Sequence, residues 1–429
     1  MDTLMKILTV NRNYFVTGGP EKYMFSLMEN MPQHEFIPFC VNFDKNLPTE
    51  YSRYFIDPPG GTGDVYYKDF RMSIPEKLSY AFRSVYSFEA RRKLEALIRD
   101  TRPDVALFLN AVYFTDSIVD ACRTFNLPII WRMSDFHKVC ASYLLFRDGA
   151  VCDECLDRGL TRALINRCGG YQRSRAAALV KVAGMWLSRL RRNYDNVHYF
   201  VTPSAFTREK MIQGGFAPDK IVHIPTFVET GDGESYPAKN PNGILYAGRL
   251  SPEKGIEVLL EAFARLRNRD AVLSIAGDAN SDYARSLIAS VPAASKDRIK
   301  FLGFQDQESL ARLYSENLLF VVPSVWYENQ PNVLLEGMAR GRAAIVPCLG
   351  SLMETVIEGV TGYHYKPGNS PELADKIDRL LENPRLASEM GRRARTHVLE
   401  HHAASVHIAA LGELFKSCLG KENRTGIQP

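Results

Sequence analysis

Two pairs of residues carry chemistry by their type and spacing. Arg249 and Lys254 sit in "AGRLSPEKG", where an apolar run gives way to a helix-forming stretch. Glu328 and Glu336 sit in "WYENQPNVLLEGMARG", with seven residues between them. An arginine and a lysine converging on a helix N-terminus make an anion site, and a diphosphate is its natural occupant. Two basic residues solvated in a loop would read the same way. Glu328 falls before a helix expected to start near Asn332, and Glu336 falls about one turn inside it. A carboxylate there can simply answer the helix dipole, and a loop carboxylate can simply be solvated. Two carboxylates straddling one helix start, opposite an Arg–Lys pair, describe a site for a charged ligand.

The elements that must hold these residues are legible as apolar runs. "KILTV", "FIPFCVNF", "VALFLN", "IIWRMS" and "VHYFVTPS" read as strands in the first half. "GILYAGRL", "AVLSIAGD", "IKFLGF", "LLFVVPS", "AAIVPC" and "TGYHYKP" read as strands in the second. Amphipathic segments such as "GIEVLLEAFARLRN" lie between them, so the sheets should be parallel and covered by helices on both faces. Such sheets bind ligands beyond the carboxyl ends of their strands, where all four residues lie. Ser251 reads as a helix N-cap and Pro252 as the first helical residue. Gly18 and Gly19, after the first strand, would let backbone approach a ligand closely. The Gly-, Pro- and polar-rich segment Glu229–Gly243 reads as a linker, which puts a boundary near residue 230.

Composition narrows the class. The 429 residues are 45% hydrophobic and 24% charged, with a formal net charge of +4, which is ordinary for globular domains and does not indicate a nucleic-acid binder. The N-terminus reads as a buried strand rather than an export signal, and no apolar run is long enough to span a bilayer. The expected location is the cytoplasm, including peripheral contact with the inner face of the membrane. Eight cysteines in that setting are expected as thiols or metal ligands rather than disulfides.

The stretches "ILYAGRLSPEKGIEVLLEAF", "FLGFQDQESLARLYSENLLFVVPSVWYENQPNVLLEGMARG" and "GSLMETVIEGVTGYHY" resemble the C-terminal half of glycosyltransferase family 4, the retaining sugar transferases with the two-domain GT-B fold. Glu328 and Glu336 match its E-x7-E motif. The resemblance is dense from Gly243 to Gly368 and patchier before. It implies an α/β chain of two Rossmann-like domains facing each other across a cleft: residues 1–230 for the acceptor, 231–402 for the nucleotide sugar, a helix at 403–420 crossing back to the first domain, and a tail at 421–429. It implies that Arg249 and Lys254 hold the donor diphosphate, that Glu336 accepts hydrogen bonds from the ribose, and that Glu328 lies near the anomeric centre. Asn329, Gln330 and Asn332 would face the donor sugar or phosphate, Gly19 would approach the phosphates from the first domain, and Phe304 would lie near the base. Asp135 and His137 would stand on the acceptor side. Three places depart from the pattern. A glycine-rich turn is here "GDANSD", Ser134 precedes Asp135 where a histidine is usual, and Thr226 and Phe227 replace an Asn-Gly turn.

These parts imply transfer from a UDP- or GDP-sugar to a hydroxyl of a glycan or a polyprenyl-lipid-linked acceptor, in surface polysaccharide or glycolipid synthesis. The basic clamp would stabilise the leaving diphosphate without an obligatory metal. Front-side attack would give retention; a double displacement through Glu328 is the other route. A synthase or phosphorylase acting on a soluble sugar, or a silent nucleotide-sugar-binding subunit, are the alternative readings. Two further features stand apart. Cys140, Cys152, Cys155 and Cys168 are spaced as C-x11-C-x2-C-x12-C in an insertion at 140–168, which reads either as a four-thiolate structural zinc knuckle or as packed reduced thiols. The segment Tyr171–Asn196 reads as a basic amphipathic helix, suited either to an anionic membrane or to packing with its charges solvated.

Overall fold

The computed structural model describes residues 4–58, 73–169, 174–229 and 238–422. Residues 230–237 of the linker, 423–429 of the tail and 171–173 of the basic segment lie outside these.

The first half folds around a six-stranded sheet built from β1 (Lys6–Val10), β2 (Glu35–Phe39), β3 (Val105–Phe108), β4 (Ile129–Arg132), β7 (Tyr199–Thr202) and β8 (Ile221–His223), in the order β2-β1-β3-β4-β7-β8. All pairings are parallel. A two-stranded antiparallel hairpin, β5 (Phe146–Arg147) and β6 (Ala150–Val151), stands apart from it. The second half folds around β9 (Asn240–Ala247), β10 (Val272–Ala276), β11 (Ile299–Gly303), β12 (Asn317–Val321), β13 (Ala343–Pro347) and β14 (Gly362–Tyr365), in the order β11-β10-β9-β12-β13-β14, again wholly parallel. The apolar runs expected as strands are strands. β8 and the β5–β6 hairpin are additions, too short to stand out as runs.

Period-two alternation explains the double cover. Leu8, Val10, Phe108 and Trp131 face one hydrophobic layer of the first sheet, while Ile7, Leu107, Leu109 and Ile130 face the other. In the second sheet Ile244, Leu319 and Ile345 point one way and Leu245, Phe320 and Ala344 the other. With helices on both faces no residue of β12 or β13 reaches solvent, and this is why those strands read as unbroken apolar runs.

The chain crosses between the halves twice. Residues 224–229 lead from β8 toward the second sheet, and the chain returns after the helix Pro384–His401. The last helix, Ala404–Glu422, lays Leu411, Leu414, Phe415 and Cys418 on the layer formed by Ile7, Val105, Leu107 and Ile130 of the first sheet. The two crossings run side by side, with Val228 donating its N–H to the His402 carbonyl at 3.0 Å and bridging Ala403.

Candidate active site

The carboxyl ends of both sheets meet at a cleft lined by Lys22, Tyr23, Thr226 and Phe227 from the first half and by Tyr314, Asn332, Glu336 and Arg340 from the second. On the first side, the helix Gly19–Asn30 starts directly after the Gly18–Gly19 turn, with proline in its first turn. A β-carbon on Gly19 would stand 3.6 Å from the Asn332 amide nitrogen, so this turn already lies against the start of the opposing helix.

That opposing helix is Asn332–Ala339, which begins where the sequence placed it. Gly337 lets it lie directly on β12, since a β-carbon there would come within 2.6 Å of the Phe320 ring. Glu336 is buried and paired across the cleft with Lys22. Sequence reading does not find Lys22, because its partner is 314 residues away and local periodicity carries no signal over that distance.

Glu328 is buried, and its carboxylate accepts from the Lys254 ammonium at 2.7 Å and from the Ser324 hydroxyl. Its backbone carbonyl accepts from Ser351 Oγ at 2.7 Å. Burial pushes the Glu328 carboxyl up, but Lys254 and Ser324 overcome this and hold it below its ordinary value. It is therefore an ionised, preorganised carboxylate at neutral pH. The Lys254 side chain is 16% exposed and that of Glu328 6%, so removing either partner alone would cost roughly 3–5 kcal/mol.

The loop carrying Lys254 differs from the expected helix start. Ser251 precedes a 3-10 turn, Pro252–Lys254, and the helix Ile256–Arg265 begins only after Gly255, which has a φ of 66°. The reason is close packing: a β-carbon on Gly255 would sit 2.1 Å from the Pro323 carbonyl oxygen, so the chain must turn through a left-handed glycine before the helix can start. Arg249 is turned outward, with its side chain 62% exposed and on Glu253 at 3.3 Å. The Arg–Lys pair is thus split. Lys254 is buried at Glu328, and Arg249 stands at the rim.

Asn329 and Gln330 are engaged by the first half. The Asn329 amide donates to the Met133 carbonyl at 2.7 Å and accepts from the Thr207 hydroxyl, and Gln330 Oε1 accepts from the Thr226 N–H at 2.7 Å. Phe304 follows β11 and is 80% exposed, away from the cleft lining. Asp135 accepts from both the backbone N–H and the ring Nδ1 of His137, which fixes that ring in the same strand-end loop as Met133, whose carbonyl Asn329 touches. His137 Nε2 is buried without a hydrogen-bond partner.

Cys140, Cys152, Cys155 and Cys168 are thiols, and Cys155 and Cys168 pack on a small apolar cluster with Ala163, Val182 and Met185. Burial first, then the proximity of Cys140, Cys168 and Cys152, pushes the Cys155 thiol up to about 12. Among the described residues no group of three or more His, Cys, Asp or Glu side chains is arranged to hold a metal ion.

Residues 231–397 match the family model described as glycosyl transferases group 1. The alpha-D-kanosaminyltransferase of Streptomyces kanamyceticus is 35% identical over 155 residues, which are 35% of this chain and 39% of that protein. The chain spans about two fifths of the length of such curated relatives. Among solved structures, the sucrose-phosphate synthase of Thermosynechococcus elongatus superposes with a TM-score of 0.70 at 18% identity, covering 97% of this chain and all of that one. Anabaena HepE, solved with UDP and glucose, superposes at 0.64 and 16% identity, covering 96% of this chain and all of that one. The whole chain therefore has the two-domain GT-B fold, and its second sheet lies within the stretch that matches the group 1 glycosyl transferases.

Proposed function

We propose that this protein is a retaining glycosyltransferase that moves a sugar from a UDP- or GDP-sugar to a hydroxyl of a glycan or lipid-linked acceptor. One observation carries the reading: an ionised, buried Glu328 held by Lys254, in a loop whose next two residues bond the other Rossmann-like domain. It lies in the segment matched by the group 1 glycosyl transferases.

In this reading the donor diphosphate takes Lys254 as its counter-charge, with Arg249 swinging in from the rim. Positive charge there stabilises the oxygen on which negative charge develops as the sugar leaves, without an obligatory metal. Glu336 accepts from the ribose once Lys22 is displaced, and Asn332 and the first amides of its helix face the phosphates. Gly19 brings backbone close from the other side. Glu328, already ionised, stabilises the positive charge that builds at the anomeric carbon. Lys254 and Ser324 both bond its Oε1 and hold the carboxylate ionised, which suits this role with front-side attack.

The membrane reading rests on two helices of the first half. Among the described residues no helix is long and apolar enough to cross a membrane. Yet Ile74, Leu78 and Phe82, four residues apart, are exposed on the helix Ile74–Val85. Leu179, Trp186 and Leu190 are exposed on the helix Arg175–Leu190, beside the exposed Arg175, Arg189 and Arg192. Apolar stripes with basic neighbours suit an anionic lipid surface and favour a lipid-linked acceptor on the cytoplasmic face.

The test is a turnover assay with UDP- and GDP-sugars, offering soluble glycans and polyprenyl-linked acceptors in anionic vesicles. Nucleotide release that depends on an acceptor, with retention at the anomeric centre, is expected. Absence of binding to every nucleotide sugar would sink the reading. Equal activity with and without vesicles, and no co-sedimentation, would remove its membrane part.

A further inference from the structure

The segment Tyr327–Gln330 has a second pattern of contacts that the donor-site reading leaves unused. Glu328 turns into its own domain, but its neighbours all reach the other one. Tyr327 packs its ring on Phe206, with centroids 4.7 Å apart, and donates its hydroxyl to Asp153 at 3.2 Å. Asp153, within the "CDEC" turn, is held in place by Lys210 at 2.7 Å. Asn329 bonds the Met133 carbonyl and the Thr207 hydroxyl, and Gln330 bonds the Thr226 N–H. The four acceptors or donors come from separate places in the first domain: the cysteine-rich insertion, the loop after β4, the helix Ala205–Gln213 and the crossing segment. Four consecutive residues thus bind one domain through Glu328 and the other through the remaining three.

We infer that Tyr327, Asn329 and Gln330 form a closure latch, and that Asn329 and Gln330 are positioning residues that set Glu328 through the first domain rather than by touching the donor sugar. The inference rests on the reading of Glu328 as a reaction-site carboxylate. The Asn329 amide nitrogen and the Gln330 amide oxygen already bond main-chain groups of the first domain at 2.7 Å, so these atoms are engaged in closure rather than turned to a sugar. A carboxylate whose loop is fixed only when the domains meet is correctly placed only when water is excluded from the cleft. Opening of the cleft then misplaces Glu328 for transfer and admits water to the bound donor, so transfer falls more than hydrolysis does.

The experiment uses variants on both sides of the latch. Asn329→Ala and Gln330→Met remove it from the second domain. Thr207→Val removes one Asn329 bond from the first domain without altering the site loop. Acceptor-dependent transfer, donor hydrolysis without acceptor, donor Kd, and the radius of gyration by solution scattering are measured for each. The expected result is a fall in kcat for transfer of about 30-fold or more in N329A and Q330M, with donor Kd changed less than threefold. The hydrolysis-to-transfer ratio should rise about tenfold, and the radius of gyration should increase. T207V should show the same changes in smaller degree, and should add little to N329A in the double variant. Gln330→Glu, which keeps the acceptor for Thr226 N–H, should restore most of the transfer rate. A tenfold rise in donor Kd in N329A, with T207V silent and the hydrolysis ratio unchanged, would overturn the latch and return Asn329 to a direct sugar contact. If no donor is turned over, the functional reading fails by itself. Scattering then decides the latch alone, because unchanged dimensions in N329A and Q330M would reject it.

Discussion

At the scale of single residues, the candidate site is a set of charges that neutralise one another. Lys254 holds Glu328 and Lys22 holds Glu336. A diphosphate therefore does not meet an open positive pocket; it competes with a carboxylate for Lys254. This frames the effect of Glu328→Gln. The amide keeps the volume and the bond from Ser324 but leaves Lys254 without its counter-charge. Transfer should fall by about 10²-fold or more, and the melting temperature should drop, because an unmatched buried ammonium costs roughly 3 kcal/mol. Saturating nucleotide diphosphate should return most of that loss by supplying the missing anion. Steady-state rates and melting curves with and without UDP or GDP check this. Full activity in E328Q would remove Glu328 from the chemistry, and a melting point unaffected by nucleotide would remove Lys254 from the phosphate site. How far these residues were legible depended on distance along the chain. Glu328 and Glu336 were visible because seven intervening residues and a helix start relate them locally. Lys22–Glu336, Asn329–Met133 and Asn329–Thr207 join positions 314, 196 and 122 residues apart. Residue type names a hydrogen-bonding group but not the partner that folding brings to it.

At the scale of elements, the longer strands of both sheets were readable for one reason: burial on two faces leaves few polar residues in them. The same logic explains what was not readable. β8 has three residues and β5 and β6 two each, below the length at which a run can be distinguished from a turn. The helix Ile74–Val85 has no buried residue, so no core face marks it. The Lys254 loop shows an element boundary set by contact rather than propensity. Ser251 and Pro252 carry every local sign of a helix start, yet Gly255 must turn left-handed to clear Pro323. Gly255→Ala meets both a positive φ and the Pro323 carbonyl, and should cost about 3 kcal/mol, measured by denaturant unfolding. Gly303→Ala provides the comparison. Its φ is 69° with open space around it, so only the backbone part, about 1 kcal/mol, should appear. Equal losses at the two sites would mean that the Pro323 contact does not set the loop.

At the scale of the whole molecule, the two crossings between domains are bound into one buried cluster with titratable members. His402 Nδ1 donates to the Thr226 carbonyl at 2.9 Å. His407 Nδ1 donates to the Pro225 carbonyl at 2.7 Å, and its Nε2 accepts from the Tyr23 hydroxyl at 2.8 Å. The Arg132 guanidinium stacks over Tyr23 at 3.9 Å and donates to Thr226 Oγ1 at 2.8 Å. Burial first, with the nearby positive charges, pushes both histidines down to about 4, against the pull of their carbonyl partners. Their folded pKa lies below the unfolded value of about 6.5, so the unfolded chain takes up protons that the folded one refuses. Stability is therefore full above about pH 6.5 and falls as pH drops from there toward 4, by about 3 kcal/mol per histidine. Melting temperatures between pH 7 and 4.5 should show this slope, and the H402N/H407N double variant should flatten it. An unchanged slope would place the acid sensitivity elsewhere. The last helix has a different kind of consequence, one of timing. Leu411, Leu414, Phe415 and Cys418 complete a hydrophobic layer begun by Met5 and Ile7, so the domain that leaves the ribosome first is finished last. Until the helix Ala404–Glu422 emerges, one face of its sheet has only the exit surface and chaperones for company. A truncation before Ala404 would therefore injure a domain whose strands were made hundreds of residues earlier.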